Sequence, residues 1–391
     1  MANKHTMSDL YQMQSLPLKA KIQMTRRRID EWVNEYGEDG VYISFSGGKD
    51  STVLLDIARK DYPDLKAVFV DTGLEYPEIR SFVKRFNNVD WIKPQITFKQ
   101  VVEKYGYPFI SKEVSECVDG ARKYLRLLTD RQTDRQTVPY NGFMADMLGI
   151  DRRKDKENEH YLAIKTGNIP KEPARYMILN GTYPHRSKGV ESGESSNMYD
   201  RSRYKFFLDA NFNISSKCCK VMKKNPTHKY GKETGRKPIT AQMASESRLR
   251  TQKWLQNGCN GFDLREPISN PMSFWFEEDV LLYCYKHNIE ICSVYGDIVK
   301  DNEVEGQYDF EDLGIFDLGR PQLKTTGCDR TGCVFCGFGC HIEKNEGRFV
   351  RLKRTHPKLY DYVMRPWEQG GLNYKEVIDW INEHGNFDIR Y

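Results

Sequence analysis

The sequence predicts a doubly wound α/β protein, with a parallel, Rossmann-like sheet covered by helices on both faces and interrupted by one long insertion. Three observations carry this. Short apolar runs alternate with helical periods between residues 38 and 110. The glycine-rich stretch SGGKDS stands where the first apolar run gives way to the first helical period, and the same alternation resumes after residue 215.

In chain order, residues 16–36 space apolar side chains three and four apart, which predicts a lead-in helix stopped by Gly37. VYISFS reads as a buried strand, DSTVLLDIARKDY as the helix after it and LKAVFVDT as a second strand. EYPEIRSFVKRFN follows as a second helix and VDWIKP as a third strand, so right-handed crossovers make the sheet parallel. From Ser111 the runs DRQTDRQT, DRRKDKENEH and HRSKGVESGESSNMYDRSR lack a clean period and predict a partly mobile insertion. RKPITAQM then reads as a strand and SESRLRTQKWLQNG as a helix capped by Ser245. SFWFEEDVLLYCYKHN reads as a helix with Ser273 as its cap and Glu277 and Glu278 in its first turn. Past Gly327 a cysteine cluster leads into RFVRLKRTHPKLYDYVM and a last helix, YKEVIDWINEHG. The expected division is a lead-in at 1–37, an α/β domain at 38–110 and 215–326, an insertion at 111–214, and a cysteine-rich helical region at 327–391.

A chain of 391 residues, 39% hydrophobic, can bury a sizeable core. It shows no N-terminal apolar leader and no apolar run near the roughly 18 to 20 residues a membrane span needs, so a soluble, cytoplasmic protein without a membrane partner is expected. In that compartment its ten cysteines serve packing, metal or cluster ligation, or redox chemistry. The net charge of +5 is mild, but residues 217–253 carry eleven Lys and Arg against two acids, Glu233 and Glu246. A second basic stretch runs from Lys344 to Arg365, and both suit a phosphate-rich partner such as nucleic acid.

Between a strand and a helix, SGGKDS lies where a doubly wound sheet presents free N–H groups to an anion. Gly47 and Gly48 let the backbone approach a phosphate, Ser44, Ser46 and Ser51 offer hydroxyls, and Lys49 brings a compact positive charge. Asp50 suits either a helix cap or a Mg2+ partner. The GxxxxGK[ST] spacing of the Walker loop is absent.

SGGKDS resembles the PP-loop of the adenine nucleotide α-hydrolases, which include ATP pyrophosphatases and the phosphoadenosine phosphosulfate (PAPS) reductases. The resemblance implies that the loop holds ATP, or PAPS or its unphosphorylated analogue APS. It also implies that Asp71 and Thr72 in VFVDTGLEYPE flank the nucleotide, although a capped β–α turn accounts for them equally. Glu246, Ser247 and Arg250 in MASESRLR match the family's ES-x-x-R, with Arg250 as a clamp on the distal anion. Lys49, Asp50 and Arg250 are thus the implied catalytic residues. Cys218 and Cys219 in KCCKVMKKNP, with Cys333 and Cys336 in RTGCVFCGFGCH, resemble the CC…CxxC signature of bacterial sulfonucleotide reductases and imply a 4Fe–4S cluster, with zinc as the other reading. Cys328 and Cys340 flank that motif, and Cys117, Cys259, Cys284 and Cys292 read as core thiols.

One departure bears on the activity. Thioredoxin-dependent reductases end in an ECGLH-type tail whose cysteine attacks sulfur, whereas this sequence ends NEHGNFDIRY and has no cysteine beyond Cys340. The first expectation is therefore ATP pyrophosphatase-type activation coupled to sulfur transfer, similar to the DNA phosphorothioation sulfurtransferases. The second is a sulfonucleotide reductase using Cys340 or Cys328 as nucleophile. The third is a nucleotide-binding regulatory protein without turnover. Expected partners are an adenine nucleotide, nucleic acid, a cysteine desulfurase or thiol reductant, and a second copy in a homo-oligomer.

Overall fold

A computed structural model describes residues 3–132, 171–181, 200–300, 323–343 and 346–391. DRRKDKENEH and most of the two polar runs beside it, read as a partly mobile insertion, lie outside the described residues. The chain forms two compact units, residues 1–98 with 220–334 and residues 99–219 with 335–391.

The strands, in chain order, are β1 (Val41–Ser44), β2 (Ala67–Val70), β3 (Val89–Ile92), β4 (Phe109–Ile110), β5 (Lys237–Ile239), β6 (Asn260–Gly261), β7 (Ile268–Ser269), β8 (Ile298–Lys300), β9 (Leu323–Thr325) and β10 (Gly337–Phe338). The first unit holds a six-stranded sheet in the order β3-β2-β1-β5-β7-β6, all parallel except the edge pair β6–β7. Val41, Tyr42 and Ile43 in β1 are all buried, as strands covered on both faces require. After β1 the chain moves outward to β2 and β3 on one side, and β5 later returns on the other. The end of β1 is therefore the switch point of the sheet, where crossovers diverge and leave a crevice.

The helix Lys49–Asp61 starts directly from that crevice. It buries Val53, Leu54, Ile57 and Ala58 and carries Arg59 and Lys60 in its last turn, where cations favour the helix dipole. It packs against the lead-in helix Leu18–Tyr36 and the helix Glu277–His287. Lys21 and Asp279 form a fully buried ion pair between the latter two, and Trp275 Nε1 donates to Thr25 Oγ1 at 2.9 Å. The lead-in helix stops at Gly37, whose φ of 76° ends the helical path while its N–H donates to Val33 O.

Two capping expectations are corrected. Ser273 does not cap the helix Glu277–His287; its hydroxyl donates to Asn270 O, and the Phe276 N–H is met by Asp279 at 2.8 Å. Ser245 is likewise no cap, since its hydroxyl donates to Trp275 O at 3.2 Å. Ser247 takes that role for the helix Arg248–Asn257, accepting from the Arg250 N–H.

The second unit has its own core. The helices Lys112–Gln132 and Lys171–Leu179, from the expected insertion, pack on each other, and the helix Tyr374–Gly385 packs against the 3₁₀ turn Ser202–Asp209. Insertion and C-terminal helices thus share one compact body. Its centre is aromatic: the fully buried Tyr374 ring lies 5.4 Å from Tyr107 and 5.1 Å from Phe109. β4 and β10 form a short parallel pair, Gly337 opposite Phe109. A side chain at Gly337 would come within 2.5 Å of the Phe109 ring, so only glycine allows this approach.

Candidate nucleotide site and cysteine cluster

In the first unit the loop from Phe45 to Gly48 turns at the switch point. Gly47 has φ of 72°, and a Cβ there would lie 2.7 Å from Val83 and 2.9 Å from Ile79, so both conformation and space demand glycine. Ser51 Oγ accepts from the Ser46 N–H at 3.2 Å and lies 3.0 Å from Ser46 Oγ, which accepts from the Gly48 N–H at 3.3 Å. The Lys49 N–H donates to Tyr295 Oη at 3.2 Å. Hydroxyl oxygens thus occupy the donors that an anion would use at the start of this helix. Ser44, at the end of β1, is half-buried.

Lys49 is buried, with its side chain 3% exposed. Its ammonium donates to Asp329 O at 2.7 Å, pairs with Glu277 Oε1 at 2.8 Å and lies 5.2 Å from the Tyr295 ring centroid. Asp50 does not cap the helix, because Gly48 occupies the cap position with extended backbone. Asp50 Oδ1 is instead buried without a hydrogen-bond partner. Burial pushes the Asp50 carboxyl up, Glu277 adds to that push, and Lys49, Arg330 and Arg250 oppose it. A buried, unsatisfied carboxylate oxygen surrounded by cations suits a Mg2+ ion or a ligand donor.

Arg250 pairs closely with Glu246, whose carboxylate also accepts from the Met243 N–H at 3.1 Å. Burial pulls the Arg250 guanidinium down, and the neighbouring Arg330 pulls in the same direction. Arg330 itself lies 3.8 Å from Glu246 and 4.0 Å from Glu277. Lys49, Asp50, Glu246 and Arg250 therefore lie in one another's neighbourhood, whereas the Ser247 hydroxyl is spent on its helix. Asp71 and Thr72 are wired into their own turn. Asp71 pairs with Arg80 at 2.9 Å, while the Thr72 N–H and hydroxyl both donate to Glu75. Glu277, Tyr295, Arg330 and Thr331 were missed as site residues. Glu277 was legible only as a first-turn acid, and the others carried no local signal.

In the second unit Cys218 and Cys219 lie on the short helix Lys217–Cys219, and Cys336 immediately precedes β10. Arg348 Nη1 donates to Cys336 O at 2.7 Å, and Tyr374 Oη donates to Phe335 O at 2.8 Å, which fixes the backbone around that thiol. Burial pushes the Cys336 thiol up; Arg348 opposes this and the nearby Cys219 adds to it. The Tyr374 hydroxyl is pushed well up by burial and, further, by Cys336, Cys218 and Cys340, so these thiols share one neighbourhood. Cys333 falls in the first unit. All ten cysteines are thiols, and Cys117, Cys259, Cys284 and Cys292 are buried core residues as expected. Among the described residues no three Cys, His, Asp or Glu side chains gather as around a single metal ion. Zinc draws its four ligands around one centre, whereas a 4Fe–4S cluster gives each thiolate its own iron and holds them further apart.

Residues 40–130 match the phosphoadenosine phosphosulfate reductase domain. Over that segment the chain is similar to the PAPS reductase family. The match takes in β1, the glycine loop, the helix Lys49–Asp61 and the Asp71–Glu75 turn, so the family signal rests on the nucleotide half of the site. The chain is 32% identical over 120 residues to an uncharacterized protein of Methanocaldococcus jannaschii, covering 28% of each chain. It is 27% identical over 93 residues to an adenosine 5'-phosphosulfate reductase of Staphylococcus epidermidis, 22% of this chain and 38% of that protein. With adenosine 5'-phosphosulfate reductase 1 of Bacillus subtilis it shares 31% identity over 88 residues, 21% of this chain and 37% of that protein. The matches span well under half the length of these relatives. Among the described residues no helix is long and apolar enough to cross a membrane.

Proposed function

We propose that this chain binds an adenine nucleotide at the Ser46–Ser51 loop and acts on the bond beyond its α-phosphate, activating an acceptor as an adenylate and then passing sulfur to it. One observation carries the reading: a buried lysine at a helix N-terminus, between two glycines and a buried, unsatisfied aspartate oxygen. Nucleotide phosphates would replace the Ser46 and Tyr295 hydroxyls on the loop N–H groups, and Lys49 would exchange Glu277 for the charge that develops as pyrophosphate leaves. Asp50 would hold a Mg2+ ion, which would supply positive charge beside the leaving pyrophosphate, and Arg250 would clamp the distal end. An acceptor oxygen attacks the α-phosphorus, the α–β bridging bond breaks with its electrons on pyrophosphate, and a sulfide equivalent then displaces AMP.

Cys218, Cys219, Cys333 and Cys336 would hold a 4Fe–4S cluster, which supplies a polarising charge and a site for sulfur handling. Arg348 and Tyr374 keep the Cys336 backbone in place for that ligation. A cysteine desulfurase supplying persulfide sulfur, a thiol reductant supplying the two electrons that release it as sulfide, nucleic acid as acceptor and a homo-oligomeric state belong to the same proposal.

Sulfonucleotide reduction is the second reading, favoured by the names of the staphylococcal and Bacillus relatives. The two cysteines available as substitute nucleophiles support it poorly. Cys340 is buried, donates to Gly337 O at 2.9 Å, and is pushed up by burial to about 12. Cys328 is buried and donates to Arg330 O at 3.0 Å. The Cys340 thiol, raised in this way, forms little thiolate near neutral pH. Incubation of the anaerobically purified protein with Mg2+-ATP, and separately with APS and PAPS plus thiol reductant, tests the choice. Pyrophosphate from ATP is expected. Sulfite without pyrophosphate would install the second reading, and bound nucleotide with neither product would leave a regulatory protein.

A further inference from the structure

The segment just before Cys333 is anchored on the glycine loop at both sides of one residue. Asp329 O accepts from the Lys49 ammonium, and Thr331 Oγ1 lies 2.6 Å from Tyr295 Oη, whose oxygen meets the Lys49 N–H. Cys328 Sγ donates to Arg330 O. The backbone of Arg330 is thus held against the loop on both flanks, while its side chain is 61% exposed and reaches Glu246 and Glu277 only at 3.8 and 4.0 Å. Those separations exceed the roughly 2.7–2.9 Å of a charge-assisted hydrogen bond, so the guanidinium has electrostatic neighbours without bidentate partners. Arg250 differs in this respect, since Glu246 holds it closely.

Both guanidiniums act on the same carboxyl, Asp50, and each lies in the other's field. Two like charges facing one aspartate beside a lysine are relieved by an anion placed between them. The anion that Arg250 alone would clamp is thus offered a second arginine from a different segment, one that SGGKDS and ES-x-x-R do not contain.

We propose that Arg330 is a specificity-determining residue that reads the anionic group beyond the α-phosphate, exchanging Glu246 and Glu277 for the distal phosphate or sulfate of the nucleotide. This rests on the adenine-nucleotide reading of the loop. The fixed backbone places the guanidinium, and the loose side chain lets it swing onto the ligand. An AMP moiety, which ends at the α-phosphate, makes no use of Arg330. Ligands with a further charged group do.

Titration calorimetry of the full-length protein with AMP, ATP and APS, comparing wild type with Arg330→Ala and Arg330→Lys, tests this. AMP affinity is expected to stay within about twofold, while ATP and APS bind the alanine variant at least about tenfold more weakly and the lysine variant in between. An unchanged melting temperature of the ligand-free variants shows that the loss is not a folding defect. Equal losses for all three ligands would overturn the assignment by making Arg330 a structural residue, and so would the absence of any loss. Failure of the wild type to bind any of the three would instead remove the nucleotide reading itself, and this inference with it.

Discussion

In the first unit the groups proposed to meet a ligand lie largely within one turn of chain, Ser46 to Ser51, between a buried strand and the helix it feeds. In the second unit the neighbouring thiols of Cys218 and Cys336 come from segments more than a hundred residues apart and meet around Tyr374. The first arrangement is backbone-built: hydrogen bonds and a helix N-terminus set its charge pattern, and burial serves to keep Lys49 and Asp50 out of water. The second is packing-built, because the aromatic side chains and the β4–β10 pair decide where each sulfur stands. A change in the first should therefore disturb ligand chemistry with little cost to the fold, while a change in the second should disturb the fold and the thiols together.

The largest expected effect separates the two. Lys49→Ala should lower nucleotide-dependent pyrophosphate release by about 10² to 10³-fold, as loss of a preorganised charge does, while iron content after anaerobic reconstitution stays at the wild-type level. Pyrophosphate assay and iron analysis on one preparation check it, and a parallel fall in both would break the comparison. Tyr374→Phe is the counterpart. It removes the hydrogen bond that Tyr374 Oη donates to Phe335 O, at a cost of about 1 kcal/mol. Reduced iron retention with unchanged nucleotide affinity is expected, read by absorbance near about 400 nm and by calorimetry.

A smaller effect concerns pH. Burial raises the Asp50 carboxyl above its ordinary range, so the folded chain holds that proton more tightly than the unfolded chain does. Its contribution to stability is full below the ordinary carboxyl pKa and is lost as pH rises through the raised one. Asp50→Asn removes that loss. The ligand-free variant should melt a few degrees above wild type at pH 7, with the gap closing toward pH 4, and should lose Mg2+-dependent turnover. A variant that melts lower at pH 7 would show that Asp50 has a partner in the folded chain. The smallest effect is expected at Cys340, whose buried thiol stands at about 12. Cys340→Ser should leave turnover unchanged, and in the wild type this thiol should react with iodoacetamide at pH 7.5 far more slowly than a free cysteine. Loss of sulfite release in that variant would restore it as a nucleophile.

Much of the first unit was legible because its signals are local. A continuous apolar run such as VYIS can only be a strand covered on both faces, and SGGKDS placed after it leaves few conformations besides a phosphate-sized turn. Lys49 and Asp50 could be named from their neighbours in the chain, and Glu246 and Arg250 from their match to the ES-x-x-R of the family that the sequence resembles. The caps were less legible. Ser245, Ser247 and Ser273 are chemically interchangeable at a helix start, and whether each hydroxyl turned inward to a carbonyl or onto an N–H depended on how the following helix docked.

What the sequence determined by itself was the parallel α/β core and the glycine turn at the end of its first strand, since each follows from side-chain type and spacing within about a dozen residues. Tertiary structure decided which charges face one another. Glu277 against Lys49, Arg330 beside Arg250, and Cys219 near Cys336 join segments far apart in the chain, and only the packing of a folded core brings such groups within reach of each other's fields.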